Sequence, residues 1–195
     1  MNNFSIYGSY LNFGSSTIDM NKINIVYSLT ALYFVYSMGD AEVWGLNVTE
    51  GYRGVSGFIA SGTKTFINCN LLVTADIFWG DTTLFINKKT FDCNVVDELG
   101  DDLENVQVKC DYRKEATGNV FAVLTDSDGD IAQQQVEFHR FIHADGTTYK
   151  RYIEYTITKS GYKTVKGRKY ITAEIEPIVL NITLEANRFI EQKSG

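Results

Sequence analysis

The heptapeptide TDSDGDI places Asp126, Asp128 and Asp130 at alternate positions around Gly129. Carboxylates at this spacing are oxygen donors of the kind that calcium prefers. The calcium loop of helix–loop–helix proteins requires glycine at its sixth position, directly after the third acid. Here Gly129 precedes Asp130, and the sixth position is Ile131. The Asp128-Gly129 dipeptide is instead typical of a two-residue hairpin turn. The sequence therefore predicts a hairpin without bound metal, with Asp126, Asp128 and Asp130 as the alternative metal ligands.

A second acidic run contains Asp97, Glu98, Asp101, Asp102 and Glu104. Paired carboxylates serve acid–base catalysis when a cleft raises the pKa of one of them. The turn signal LGDD in the middle of this run predicts a solvated loop rather than a cleft. We therefore assign no catalytic residue here.

The remaining groups that could bind metal are two histidines and three cysteines. His139 and His143 are four residues apart and would share one face of a strand, but no third ligand accompanies them. We predict that they lie on an exposed hairpin. Cys69, Cys93 and Cys110 form no CxxC pair, so we predict buried free thiols rather than a zinc site or a disulfide framework. Nucleotide-binding and nucleophile motifs are absent from the sequence, and no cofactor is expected.

The sequence from residue 150 to residue 169 is basic, with Glu154 as its single acid. We predict a solvated face, and an interface with an acidic protein neighbour or a glycan is the alternative. Nucleic acid is not an expected partner, because the chain carries a net charge of −6 and the interleaved aromatic residues follow the strand pattern. The candidate interface residues are Lys150, Arg151, Tyr152, Lys163, Lys166 and Arg168.

The composition favours a soluble all-β protein. The 195 residues are 44% hydrophobic and 22% charged, with 12 Tyr, 12 Phe and a single Pro. The most apolar run, residues 22–38, is shorter than a bilayer span and is interrupted by polar residues, so no membrane segment is expected. The amino terminus lacks the features of a signal peptide.

Residues 1–92 contain three loosely similar segments, 34–49, 58–74 and 77–96. Their marker glycines, Gly39, Gly62 and Gly80, are 23 and 18 residues apart. Repeats of this length with strand-like content predict a β-solenoid-like region, that is, a short parallel β-helix. The alternative is an antiparallel sheet that serves oligomerisation or attachment.

Residues 93–186 show apolar residues at every second position, which indicates half-buried strands. Turn signals separate these runs and predict a small sandwich of seven strands. Residues 187–195 are predicted to form a tail.

Four motifs in this half resemble the carboxypeptidase regulatory-like, or transthyretin-like, β-sandwich modules. They are VVDELGDDLENVQVKC, VLTDSDGDI, YTITKSGYKT and IVLNITLE, in the order of that family. The resemblance makes Gly129, Gly161 and Tyr162 markers of the fold, which is Ig-like in architecture. The segment QQQVEFHRFIHADGTTYKRYIE departs from the family by inserting about one hairpin. The resemblance implies a non-catalytic accessory module of the kind found on cell-surface proteins, secreted enzymes and structural proteins of tailed bacteriophages.

These inferences predict a non-catalytic virion component, such as a capsid decoration protein, a head fibre or a piece of a tail fibre. Its expected partners are other virion proteins, copies of itself, for example in a homotrimer, and a host surface glycan. An adhesin or glycan-binding module, located extracellularly or at the cell surface, is the first alternative. A fragment of a β-helical polysaccharide-degrading enzyme, with Asp40 and Asp81 along one groove, is the second.

Overall fold

The computed structural model describes residues 4–7, 11–12, 17–19, 23–26, 32–35, 40–48, 55–58, 62–70, 77–79, 83–112, 119–142, 146–150, 152–171 and 176–187. Within these ranges every helix or strand is a β-strand, so the predicted all-β class is confirmed. The first ten strands are β1 (Phe4–Tyr7), β2 (Leu11–Asn12), β3 (Thr17–Asp19), β4 (Ile23–Val26), β5 (Leu32–Val35), β6 (Ala41–Trp44), β7 (Asn47–Val48), β8 (Val55–Phe58), β9 (Gly62–Ile67) and β10 (Ile77–Trp79). The other eight are β11 (Thr83–Asp97), β12 (Gln107–Tyr112), β13 (Asn119–Leu124), β14 (Gln134–Ile142), β15 (Gly146–Tyr149), β16 (Tyr152–Thr158), β17 (Val165–Tyr170) and β18 (Ile178–Leu184).

The strands before residue 90 pair in parallel along three rows. These rows are β1-β4-β7, β2-β5-β8-β10 and β3-β6-β9-β11. Paired residues lie 19 to 25 positions apart in the sequence, from Phe4 opposite Ile23 to Thr17 opposite Glu42. Parallel partners need a long connection. As far as β9, each connection contains strands of both other rows, whereas the connections from β8 to β10 and from β9 to β11 each contain one described strand.

Side-chain hydrogen bonds follow the same spacing. The Nδ2 of Asn70 donates to the Oδ1 of Asn47 at 3.0 Å, 23 residues earlier, and Asn47 in turn lies opposite Asn24 in register. Asn68, with a φ of 50°, accepts from the Thr90 backbone N–H at 2.9 Å and donates to its hydroxyl at 2.8 Å. Asparagine tolerates this left-handed conformation better than most residues, which explains its use at such bends.

The core of this region is built from residues in register on neighbouring strands. Val43 lies opposite Phe66, and both side chains are fully buried. The ring of Phe66 lies 4.6 Å from the ring of Phe85 between centroids. Of the marker glycines, Gly62 begins β9 with a φ of 78°, while Gly39 and Gly80 lie outside the described residues.

The chain divides into two compact units. The first comprises Met1–Thr90, Gln135–Arg151 and Thr172–Pro177, and the second comprises the intervening segments Phe91–Gln134, Tyr152–Ile171 and Ile178–Gly195. The division differs from the predicted ranges because β14 and β15, expected within the second domain, belong to the first unit. β14 lies next to β11 in the seven-stranded sheet, and β15 pairs with β14.

The second unit contains the antiparallel sheet β13-β12-β16-β17 and the parallel pairing of β18 with the second half of β11. The predicted alternation is confirmed on these strands. Val106, Val108 and Cys110 are buried, whereas Gln107 between them is exposed. On β18 the inward residues include Ile178, Leu180 and Leu184.

Candidate functional site

The Asp126–Asp130 loop forms a tight turn between Thr125 and Ile131, which face each other as an antiparallel bridge. The N–H of Gly129 donates to the carbonyl of Asp126 at 3.2 Å, and the N–H of Asp126 donates to the carbonyl of Asp130 at 2.8 Å. Gly129 has a φ of 72°. This pattern is a three-residue hairpin loop with a left-handed glycine at its end. The predicted tight turn is therefore confirmed, but it has three residues instead of two, and β13 and β14 on either side of it belong to different sheets.

The carboxylate of Asp126 explains the longer loop. Its Oδ1 accepts the backbone N–H groups of Asp128 and Asp130, each at 3.0 Å. Aspartate commonly bonds the backbone two residues on in this way. The Oδ1 of Asp130 accepts from the Nδ2 of Asn94 at 2.9 Å, which ties the loop to β11. In the described part of the chain, no three His, Cys, Asp or Glu side chains are grouped so that they could hold a metal ion.

Gly129 is also required by its neighbours. The glycine is buried, its carbonyl accepts from the N–H of Val95 at 2.9 Å, and a Cβ placed on it would lie 2.5 Å from the carbonyl oxygen of Val95. No real Cβ tolerates that approach to backbone. Gly129 therefore combines a positive φ with close packing against β11.

The second marker, Gly161–Tyr162, forms a turn after β16. Gly161 has a φ of 85°, and the Tyr162 N–H donates to the carbonyl of Lys159 at 3.1 Å. Tyr162 then forms an antiparallel bridge with Ala186, just after β18. The turn thus anchors the chain that follows the last strand.

The acidic run is a solvated turn, as predicted. The Oδ1 of Asp97 accepts the N–H groups of Leu99 at 2.8 Å and Asp101 at 3.0 Å, as Asp126 does in its own loop. Leu99 at the tip is 86% exposed. The carboxylates of Asp97 and Asp126 therefore stabilise turns.

The structure brings part of the basic candidate surface together on β16 and β17. Tyr152 lies opposite Tyr170, and their ring centroids are 5.0 Å apart at an interplanar angle of 64°. Arg168 pairs with Glu154 at 3.4 Å, and Lys166 is exposed on the same strand.

The other basic candidates are more scattered. Lys163 pairs with Glu185 at 2.5 Å, beyond the Gly161 turn. Lys150 belongs to the first unit, where its N–H donates to the carbonyl of Phe138 at 2.8 Å. Arg151 lies outside the described residues.

The expectation of an exposed His139 is wrong. The side chain is 3% exposed, its Nδ1 lies 2.8 Å from the Nδ2 of Asn87, and its ring contacts that of Phe85 at 5.8 Å between centroids. Burial lowers the pKa of His139, and the nearby Glu137 partly opposes this shift. The reason for the error is that β14 lies beside β11 in a large sheet instead of forming an isolated hairpin. His143 lies outside the described residues.

The three cysteines are buried free thiols, as predicted. Burial raises the pKa of Cys69 to about 11 and the pKa values of Cys93 and Cys110 to about 12. The thiolate is the nucleophile and the metal ligand, so these thiols are chemically inert near neutral pH.

The burial of two lysines was not predicted from the sequence. Lys64 on β9 is fully buried, and burial lowers its pKa against the opposing effect of Asp40. Lys89 on β11 is almost fully buried, with its Nζ 5.8 Å from the centroid of the Phe138 ring. The only signal was their position within otherwise apolar or β-branched strands.

The two candidate groove carboxylates are not seen together. The Oδ1 of Asp40 accepts the N–H of Thr63 at 2.7 Å, and Asp81 lies outside the described residues.

No helix in the described ranges is both long enough and apolar enough to span a membrane.

No protein-family model matches this chain, and no curated protein sequence matches it at a significant level. Several solved structures align with part of this chain at low similarity. 3-Chlorocatechol 1,2-dioxygenase from Rhodococcus opacus has a TM-score of 0.37 and 15% identity, over 51% of this chain and 60% of that one. Catechol 1,2-dioxygenase from Acinetobacter radioresistens has a TM-score of 0.39 and 12% identity, over 56% and 55%. The Bacillus anthracis TIE protein has a TM-score of 0.39 and 18% identity, over 54% and 19%. This chain therefore spans less than two thirds of each of these proteins, and likenesses at this level assign neither fold nor activity.

Replacing Gly129 by alanine should destabilise the chain by about 3 kcal/mol, because it adds both a left-handed alanine and a backbone clash. Gly100→Ala is the matched control. Gly100 has a φ of 88° but has open space around its missing Cβ, so only the conformational cost of about 1 kcal/mol applies. Urea unfolding of the two variants checks the prediction, and equal losses would contradict it.

Lowering the pH should destabilise the chain through His139. The pKa of this histidine is lowered in the folded chain, so the unfolded chain binds the proton more readily. Its contribution is present above the ordinary histidine pKa of 6.5 and is lost as the pH falls below that value, by at most about 1.4 kcal/mol per pH unit. Urea unfolding between about pH 5 and pH 7.5 should show this slope in the wild type and not in His139→Gln. His143→Gln should retain the slope, since His143 is the only other histidine.

Proposed function

We propose that this chain is a non-catalytic structural component of a bacteriophage virion. In this proposal, residues 1–92 form a short β-solenoid that attaches to the particle. Residues 93–186, apart from β14 and β15 of the first unit, display a transthyretin-like β-sandwich.

The main support for the proposal is the recurring parallel pairing in the first unit. Three rows of strands, with partners 19 to 25 residues apart, are the arrangement expected when successive coils stack on one another. The bond between Asn70 and Asn47, and the position of Asn24 opposite Asn47, fit the same stacking. Ladders of identical amide side chains stabilise in-register parallel strands.

The first coil supplies a surface for attachment. Among the described strands, β1, β2 and β3 each have a neighbour on one side only. The free N–H and C=O groups of such edges are a template for pairing with another chain. We therefore propose that these edges bind other virion proteins or copies of this chain, for which a homotrimer is one arrangement.

A structural role is also supported by the roles of the carboxylates and thiols in the described structure. The carboxylates of Asp97 and Asp126 hold turns, and the thiols are buried with raised pKa values. The turns at Gly129 and Gly161 correspond to the motifs that resemble transthyretin-like modules. The resemblance to modules found on phage structural proteins is what directs the proposal to the virion.

Proline substitutions at two neighbouring residues of β1 test the attachment edge. Backbone N–H groups of successive strand residues point to opposite sides, so either Ser5 or Ile6 donates toward β4 and the other toward the open side. Proline removes that donor. One of the variants Ser5→Pro and Ile6→Pro should therefore lower the melting temperature. The other should keep it and reduce self-association or binding to the particle, measured by sedimentation velocity and by co-sedimentation with the virion. A wild-type chain that stays monomeric and binds no particle protein would refute the proposed attachment.

The virion assignment itself is tested by genetic context. We expect the coding sequence to lie between genes for capsid and tail proteins. A position among genes for polysaccharide degradation, together with activity on a polysaccharide, would overturn the proposed function in favour of an enzyme.

A further inference from the structure

The two edges of the antiparallel sheet in the second unit differ sharply in character. One edge is β17, with the sequence VKGRKY, and the other is β13, with the sequence NVFAVL. Lys166, Arg168 and Lys169 are exposed on β17. Charged side chains, lysine above all, protect an edge strand from pairing with another chain. β13 has no charged residue and no proline, so it lacks this protection.

β13 is also apolar on both of its faces. On the inner face, Phe121 is buried and its ring lies 5.1 Å from that of Phe91 between centroids. On the outer face, Ala122 is exposed and Leu124 is 56% exposed. A strand with one face in water normally alternates apolar and polar residues, whereas a continuous apolar run is typical of strands covered on both sides. β13 therefore has the sequence of a strand covered on both faces, although Ala122 and Leu124 on its outer face are exposed in the described structure.

A regular stretch is available for pairing. The register of β13 against β12 shifts between Cys110 and Asp111, because Cys110 lies opposite Phe121 and Asp111 lies opposite Asn119. Val120 is the extra residue of this bulge. After the bulge, Phe121–Leu124 pairs regularly with β12 and leaves its other edge without a strand neighbour among the described residues.

We propose that β13 pairs in antiparallel orientation with β13 of a second copy of this chain, joining the two four-stranded sheets into one. A two-fold axis perpendicular to the sheet at Val123 sets Val123 opposite its own counterpart on the inner face. On the outer face it sets Ala122 opposite Leu124 of the second copy. Residues directly opposite in an antiparallel pair share a face, so within Ala122–Leu124 every contact joins an apolar side chain to another, and Phe121 lies opposite Thr125 of the second copy.

A second copy is the occupant that this strand fits best. β13 of a second copy is likewise apolar on both faces, and a closed two-fold contact uses the same strand from both partners. The protected edge β17 would instead place Lys166 or Arg168 beside Ala122 and Leu124, which costs desolvation of the cation with no acid opposite it. This contact involves only the second unit and does not rest on the proposed attachment through β1, β2 and β3.

A disulfide at the two-fold axis tests the pairing directly. Directly opposite residues in an antiparallel pair have Cα atoms about 4.5 or 5.5 Å apart, within the range that a disulfide spans. Val123→Cys, treated with diamide as the oxidant of the two thiols, should therefore give a covalent dimer on non-reducing gels. Val179→Cys is the control at another strand valine, since Val179 is 49% exposed on β18, and this variant should remain monomeric. The native thiols are buried and do not compete.

Sedimentation equilibrium supplies the second measurement. The double variant Ala122→Lys with Leu124→Lys sets lysines directly opposite each other at both outer positions, and should weaken dimerisation by about tenfold or more. Val179→Lys should leave the dimerisation constant unchanged. The inference is overturned if Val123→Cys and Val179→Cys cross-link equally or not at all. It is also overturned if Arg168→Glu, rather than the lysines on β13, abolishes the dimer, which would assign the contact to β17. The Val123 cross-link reports on β13 alone, so its failure is distinguishable from failure of the attachment through β1.

Discussion

The backbone of β11 is the constraint on which both units depend. Its 15 residues extend from the first unit into the second, and each half needs hydrogen-bond partners on the edges that it offers. Thr83–Lys88 pairs with β9, the preceding strand of its parallel row, and Phe91–Asp97 pairs with β18. β14 lies beside β11 in the same sheet. Segments far apart in the sequence are recruited to this one strand, because an unpaired buried backbone group costs as much as a lost hydrogen bond.

Polar side chains also supply hydrogen-bond partners for the backbone. Asp97 and Asp126 each accept two backbone N–H groups within their own loops, and Asn94 on β11 holds the second loop through Asp130. The bonds to Asp97 and Asp126 satisfy backbone donors within turns, where strand pairing does not. Acidic residues that resemble a metal loop in the sequence thus stabilise turns, because their carboxylates accept hydrogen bonds from the backbone of their own loops.

Local features were predictable from the sequence because their causes are local. The alternation at Val106, Val108 and Cys110 reports burial of one strand face directly. The turn at Gly129 was predictable from its dipeptide, but its length was not, because the choice between two and three residues follows from the hydrogen bonds of Asp126. The burial of His139 and Lys89 escaped prediction, since their environment comes from strands distant in sequence.

The sequence alone determined the all-β class, the positions of the main turns and the apolar faces of the later strands. These depend on residues within a few positions of each other, where φ preferences and period-two alternation act. Only the tertiary structure decided which strands are neighbours, that β14 joins the first unit, and that β13 and β17 are the two edges of one sheet. Strand pairing is a long-range choice between edges that look alike locally, so the sequence near any one strand does not specify its partner.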